Sequence, residues 1–265
     1  MTDAFKPYLD RLALMPDGEP IATPRAGLLP VLQNGVPAML KVSTEPEEAF
    51  GARLLAWWDG DGAARVLALE GNALLMERAT SGRVLSHLVR EGRDDDASLI
   101  MCDLIARLHT PRTKPLPELI PLAQWFRDLT DASPDGILAR AKALALDLMA
   151  SQTDILPLHG DVHHDNILDF GERGWLVIDP KRLIGDRTFD YLNLFGNPDL
   201  AAASDPGLFA RRLATVVEIA GLARRPLLQW LLAWSGLSAM CCINDKAARD
   251  VTHPARPALD PPVPN

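Results

Sequence analysis

The hydrophobic period of this chain shifts near Gly82 from mainly strand-like to mainly helical, and no other feature limits its fold as tightly. Before that point apolar residues gather in short, turn-bounded runs of strand character. Beyond it they recur every three or four residues, as on one face of a helix. Residues 21–23, 27–33 and 36–43 are expected as strands, with Asn34-Gly35 supplying a hairpin turn. Two more, 64–69 and 73–78, are set off by Gly60, Gly62 and Gly71-Asn72. One helix, 45–58, interrupts them; Thr44 and the acidic residues after it suit the positive end of a helix dipole. A short helix carrying Phe5, Leu9 and Leu12 precedes the set and ends near Pro16-Asp17-Gly18.

The second period builds a different unit. Ile100, Leu104, Ile105 and Leu108 share a helix face that ends before Pro111. Ser133-Pro134 and Asp205-Pro206 each pair a capping side chain with a proline suited to the first helical position. Two short strands, 166–170 and 175–179, interrupt these helices and are joined by Gly171-Glu172-Arg173-Gly174. The expected fold class is therefore α+β and two-lobed, with a small β-rich N-terminal lobe over 1–79 and a larger, mainly helical C-terminal lobe over 80–251. The tail, 252–265, holds five prolines in fourteen residues, a composition that favours extended or disordered chain.

Charge and cysteine content narrow the function classes. The formal net charge is -8, which supplies no basic surface for nucleic acid and attracts a cation instead. Cys102, Cys241 and Cys242 are an odd set without metal-type spacing and are expected as reduced core residues of a cytoplasmic protein. The N-terminus lacks the order of a signal peptide, and the apolar run 227–243 is broken by Gln229, Ser235, Gly236 and Ser238, so a buried helix is expected there rather than a membrane span. The tryptophans Trp57, Trp58, Trp230 and Trp234 are expected in the core or between packed lobes.

Chemistry is concentrated in His159-Gly160-Asp161-Val162-His163-His164-Asp165-Asn166, which leads into the hairpin ending at Asp179. Phosphoryl transfer asks a protein for a carboxylate that takes the acceptor proton and for oxygen ligands to magnesium on the phosphates. A loop Asp, an Asn five residues on and an Asp closing the next hairpin meet both needs. His159, Asp161 and His163 also alternate, which opens a metal-hydrolase reading. That reading leaves Asn166, Asp179 and Lys41 without roles.

The segment HGDVHHDNIL followed by IDPKRLIGDRTFDYLNLFGNPD resembles the aminoglycoside/hydroxyurea resistance kinase family, most of all its streptomycin 6-kinases. The likeness runs upstream through PAMLKVS and LLPVLQNG and covers roughly residues 20–245. It implies a protein-kinase-like bilobal fold, ATP as phosphoryl donor in the cleft, Mg2+, and transfer to a cationic aminoglycoside, at the 6-hydroxyl of streptomycin. No nucleic acid, membrane or obligate protein partner is implied. By position, Asp161 is the catalytic carboxylate, Asn166 and Asp179 are magnesium ligands, and Lys41 binds phosphate with Glu48, or else Glu47, as its helix partner. The stretch Met76-Glu77-Arg78-Ala79 takes the hinge, where backbone groups at Glu77 and Ala79 bind adenine. Asp190 takes a supporting place behind the catalytic loop, although capping explains Asp186 and Asp190 as well.

Two departures from the family pattern stand out. Pro24-Arg25-Ala26-Gly27 occupies the place of a glycine-rich phosphate loop, and Arg182 stands where glycine, and with it a positive φ, is expected. The cationic acceptor calls for carboxylates from the helical lobe. Asp245 is a candidate, and equally a solvated helix-end residue paired with Lys246 or Arg249. A kinase-like binding protein without turnover is the remaining alternative.

Overall fold

The computed structural model describes residues 4–44 and 46–252, with the side chains of 46–50 and 245–252 outside the description. Helix α1 (Lys6–Arg11) leads into strands β1 (Leu14–Pro16), β2 (Ile21–Ala22), β3 (Ala26–Gln33) and β4 (Val36–Ser43). Helix α2 (Pro46–Trp58) follows, then β5 (Val66–Glu70) and β6 (Ala73–Glu77). The six strands form one sheet in the order β1-β3-β4-β6-β5, with β2 paired to the free part of β3. The β3–β4 hairpin turns at Asn34 and Gly35, whose φ values of 53° and 80° fit a tight hairpin turn. Val31, Ala38, Leu40 and Leu75 are buried in one cluster with Phe5, the residue that precedes α1. β1 was not foreseen: three residues are too short to show a period.

The helical half contains α3 (Leu85–Arg90), α4 (Asp94–Leu108), β7 (Ile120–Pro121), α5 (Leu122–Trp125), α6 (Arg127–Thr130), α7 (Gly136–Ala150), β8 (Ile155–Leu158), β9 (Ile167–Asp169), β10 (Trp175–Val177) and β11 (Leu183–Asp186). It ends with α8 (Asn193–Gly196), α9 (Leu200–Ala203), α10 (Pro206–Ile219) and α11 (Arg224–Thr252). The expected hairpin is β9–β10, antiparallel, with its turn at 171–173. Three further strands correct the expectation of only two here. β8 pairs antiparallel, and β7 parallel, with β11. β8 delivers the chain into His159 and β11 carries it away after Arg182, so the loops holding Asp161 and Asp179 start from one small sheet.

Asp205 caps α10 as expected, its Oδ1 accepting from the N–H groups of Gly207 and Leu208. Ser133 does not cap α7. Asp135 is extended, with ψ 178°, and Gly136 takes φ 55°, so the helix starts only after that turn. Helix α11 is long and apolar enough over Arg224–Asn244 to cross a membrane by length and composition. Leu227, Trp230, Ala233 and Leu237 on it are nevertheless buried in the main core, and Gly236 lets it lie directly against Ala141 of α7. Cys102 is in the core, but Cys241 is half-buried and Cys242 exposed. Cys241 packs at the margin of the main core, and none of the three is in a disulfide. The proline-rich tail lies outside the described residues, save Thr252 at the end of α11.

Candidate active site

The cleft between the two halves has a volume of about 760 Å3. Leu28, Met39, Leu74 and Met76 of the sheet face Leu168, Phe170 and Ile178 of the hairpin across it, a flat apolar slot of the kind that suits an aromatic base. Met76, Glu77, Arg78 and Ala79 form its edge. Glu77 Oε1 accepts from the Arg65 backbone N–H at 2.5 Å and from the Arg173 guanidinium.

Lys41 stands on β4 opposite Leu28 and Leu74, nearly buried, with its Nζ 2.5 Å from Asp179 Oδ1. Burial pushes the Asp179 carboxyl up, but the Lys41 ammonium and its hydrogen bond outweigh this and hold it below the ordinary aspartate range. Thr23 folds the phosphate-side loop on itself by bonding both the N–H and the C=O of Ala26, and Thr44 donates to the Arg25 carbonyl. Gly27 is small for a different reason than phosphate access: a Cβ there would fall 2.8 Å from the Phe5 ring. Glu47 and Glu48 lie in α2, but their side chains are outside the described residues.

The loop carrying Asp161 is held from behind by one buried carboxylate. Asp190 accepts from the N–H of His159 (3.0 Å) and of Gly160 (2.7 Å), and lies 2.9 Å from His109 Nε2. Asp186 caps its own turn at Thr188 and also accepts from the Thr153 N–H. His159 is fully buried and stacks on Trp58. It donates from Nε2 to the Ile178 carbonyl and accepts at Nδ1 from the Asp161 N–H, with burial pushing its pKa down. Both ring nitrogens are thus engaged, and among the described residues no three His, Cys, Asp or Glu side chains gather as a metal site. Among the described residues, the alternating His159, Asp161 and His163 therefore do not form the cluster that the hydrolase reading needs.

Asp161 faces the cleft, its Oδ2 3.5 Å from Lys181 Nζ and its Oδ1 3.8 Å from His163 Nε2. Asn166 donates from Nδ2 to the Asp161 carbonyl, which leaves its Oδ1 as the end offered to a cation. The Ile178 N–H bonds the Asn166 carbonyl, so Asn166 and Asp179 flank the open end of the β9–β10 hairpin. One neutral and one charged oxygen donor fit magnesium, which keeps waters and phosphate oxygens as its other ligands. Arg182 has φ 50°, the left-handed conformation expected at its position, and Asp179 shares it at 60°.

Beyond Asp161 the cleft is lined by Trp125, Phe189, Asn193, Trp234, Ser238 and Cys241. Sequence reasoning missed Trp125, Asn193 and Lys181 and assigned Trp234 to packing; Trp234 does abut Gly196, yet it also faces the cleft. Trp57, Trp58 and Trp230 are buried as expected. The acidic residues among the described lining are Glu77, Asp161 and Asp179, while Asp128 lies 3.7 Å from Cys241 Sγ. Asp245 lies on α11, and its side chain is outside the described residues.

The family model for aminoglycoside/hydroxyurea antibiotic resistance kinases matches residues 11–246. The chain belongs to that family. This resistance-kinase family uses ATP, and the chain is accordingly a phosphotransferase. It is 49% identical over 243 residues to a streptomycin 3''-kinase of Klebsiella pneumoniae, covering 89% of this chain and 91% of that one. A streptomycin 6-kinase of Streptomyces glaucescens is 29% identical over 270 residues, covering 96% and 83% of the two chains. Among solved structures, the aminoglycoside phosphotransferase APH(4)-Ia in ternary complex with ADP and hygromycin B superposes with a TM-score of 0.65. The identity is 14%, with 93% of each chain covered. That likeness supports the two-lobed kinase-like fold of this member of the resistance-kinase family.

Proposed function

We propose that this kinase moves the γ-phosphate of ATP to streptomycin, at the 3''-hydroxyl rather than the 6-hydroxyl suggested by the sequence segments, and so confers resistance in a reducing cytoplasm. The observation that carries the transfer reading is the meeting of Lys41, Asp179 and Asp161 along one cleft, two of them joined at 2.5 Å. The position on streptomycin rests on 49% identity to a relative named for 3'', against 29% for one named for 6. The formal charge of -8 favours capture of a cationic acceptor. Asp245 remains the proposed acidic contact, because it follows the apolar run of α11 and a carboxylate pairs well with a guanidinium group.

In this reading the adenine rests between Met39 and Ile178 and bonds the backbone of Glu77 and Ala79. Lys41 holds the phosphates nearest the sheet, and its partner on α2 is proposed to be Glu48, with Glu47 second. Asn166 and Asp179 would hold magnesium, which supplies charge neutralisation on the phosphates when bound. Asp161 orients the acceptor hydroxyl and takes its proton as the new oxygen–phosphorus bond forms. Positioning and electrostatics supply the rate, since a loose transition state leaves little covalent work for side chains. The test is ATP consumption with streptomycin, other aminoglycosides and hydroxyurea, followed by mass and NMR analysis of the product. A product phosphorylated at 3'' is expected; transfer to hydroxyurea with streptomycin inert would overturn the acceptor.

A further inference from the structure

We propose that Lys181 is a second catalytic cation, one that binds the transferring phosphoryl group from the acceptor side. The inference rests on the phosphotransfer reading above and assigns a role to a residue that reading leaves idle. Lys181 lines the cleft with its Nζ 3.5 Å from Asp161 Oδ2, and it lies two residues after Asp179. It is thus the cation at the boundary between the carboxylate that takes the proton and the carboxylate on the phosphate side.

The backbone is bent to put it there. Asp179 and Arg182, at φ 60° and 50°, bracket Pro180-Lys181 in a conformation that costs energy for residues with a Cβ. The double turn brings the Lys181 N–H to the His159 carbonyl at 2.7 Å and folds the side chain back over Gly160, where a Cβ would stand 3.3 Å from that of Lys181. An extended path from Asp179 into β11 would carry the lysine away from the catalytic loop.

A purely structural ion pair with Asp161 is the competing account, and the distances discriminate. Charge-assisted hydrogen bonds from nitrogen to a carboxylate close to about 2.7–2.9 Å. Lys41 and Asp179 are fully engaged at 2.5 Å, whereas Lys181 and Asp161 stop at 3.5 Å. The Lys181 side chain is also about a quarter exposed to the cleft, and an ammonium carries three donors. It can therefore stay beside Asp161 while bonding a phosphoryl oxygen.

The step it serves is a displacement at phosphorus. A lone pair of the acceptor oxygen forms the new bond to the γ-phosphorus, and the bond from that phosphorus to the bridging oxygen breaks. The electron pair stays on the β-phosphate of departing ADP, and the hydroxyl proton passes to Asp161. Throughout, the three equatorial oxygens carry negative charge and move towards the acceptor. A flexible point cation on that side follows them, and Lys41 across the cleft stays with the donor.

Full-length wild type, Lys181→Ala, Lys181→Gln and Lys181→Arg are compared for binding of magnesium-ADP with and without aluminium fluoride, a planar mimic of the group in flight. For Lys181→Ala and Lys181→Gln, ADP affinity is expected within about 3-fold of wild type and mimic affinity lower by about 100-fold. With streptomycin and ATP, kcat falls by about 100- to 1,000-fold with little change in the KM for ATP, and Lys181→Arg recovers part of it. Unchanged mimic affinity in a folded Lys181→Gln protein overturns the proposal, even with slowed turnover, because Lys181 would then only position Asp161. The mimic comparison needs no acceptor, so an error in the streptomycin assignment leaves it readable. Wild type that binds neither ADP nor the mimic overturns both readings.

Discussion

Asp190 offers a perturbation whose size follows from the geometry. Its two carboxylate oxygens receive the N–H groups of His159 and Gly160, and Oδ2 also meets His109 Nε2. Replacing Asp190 with Asn keeps the shape but turns one oxygen into an NH2 donor. If the amide nitrogen takes the Oδ2 place it can donate to His109, and the His159 N–H then faces a donor. With the amide reversed, the Gly160 N–H does. Either way one fully buried backbone donor loses its partner, at about 1–3 kcal/mol, and the surviving bond loses its charge assistance, about another 1 kcal/mol. Asp190→Asn should thus lose about 2–4 kcal/mol of a total of about 5–15 kcal/mol. Urea denaturation monitored by circular dichroism measures this, with Asp190→Ala, which strips both acceptors, expected to lose more. The same N–H groups belong to the residues before Asp161, so kcat should fall by at least about 10-fold. A stability loss under about 0.5 kcal/mol with normal kcat would refute the view that Asp190 braces the catalytic loop.

Other expectations are more local. Gly51 of α2 lies against the loop after Asp179: a Cβ there would come closer than 3.0 Å to the Pro180 carbonyl oxygen. Gly51→Ala should displace the helix or the loop by about 1 Å, costing about 1–3 kcal/mol and about 100-fold in kcat; wild-type melting and rate would contradict this. Asp161→Asn should retain ATP binding by calorimetry and lose about two to four orders of magnitude in turnover. Asn166→Ala should be partly restored by raised magnesium, while Asp179→Ala is more severe because it removes formal charge; equal insensitivity to magnesium would place the metal elsewhere. The N–H groups of Leu208 and Gly207 hold the Asp205 carboxyl below its ordinary value. Its ionised cap therefore contributes fully above the unfolded pKa of 3.8 and is lost as pH falls through the lower folded value. The gap in melting temperature between wild type and Asp205→Asn should close across that acidic window and stay constant above it.

What was legible in the sequence was what a single residue type or a long period announces. Lys41, Asp161, Asn166 and Asp179 each bring a group that phosphoryl transfer needs, and the Gly171-to-Gly174 turn fixed the hairpin that spaces the last two. Arg182 was legible from the glycine it replaces, and its φ of 50° bears this out. Strands β7, β8 and β11, of two to four residues, carry too little pattern to be seen, although they set where both loops begin. Lys181 was hidden because its place depends on the left-handed residues Asp179 and Arg182 on either side of it, not on its spacing. Trp125 and Trp234 look like core residues because an aromatic lining a cleft shows the same apolar periodicity as one buried behind it.

The two halves meet at more than the hinge, and those contacts explain why the site holds its geometry. Residues 64 and 65 were expected in the first sheet. The strand proper starts at Val66 although the Arg65 carbonyl still bonds the Glu77 N–H, and Ala63 bridges Val177 of the β9–β10 hairpin, with backbone bonds from Ala64 N–H to Val177 and from Val177 N–H to Gly62. Arg173 in the turn of the same hairpin bonds both the Gly60 carbonyl and Glu77 at the cleft edge. Gly51 brings α2 onto Pro180. These attachments flank Asp179 on both sides, so the sheet bearing Lys41 is tied to the Asp179 loop through backbone bonds at Val177, the Arg173 side chain and the contact of α2 with Pro180. A rigid reference of this kind lowers the ordering that a ligand must impose, and the far part of the cleft, lined by Trp125 of α5 and by Trp234, Ser238 and Cys241 of α11, lies outside these ties.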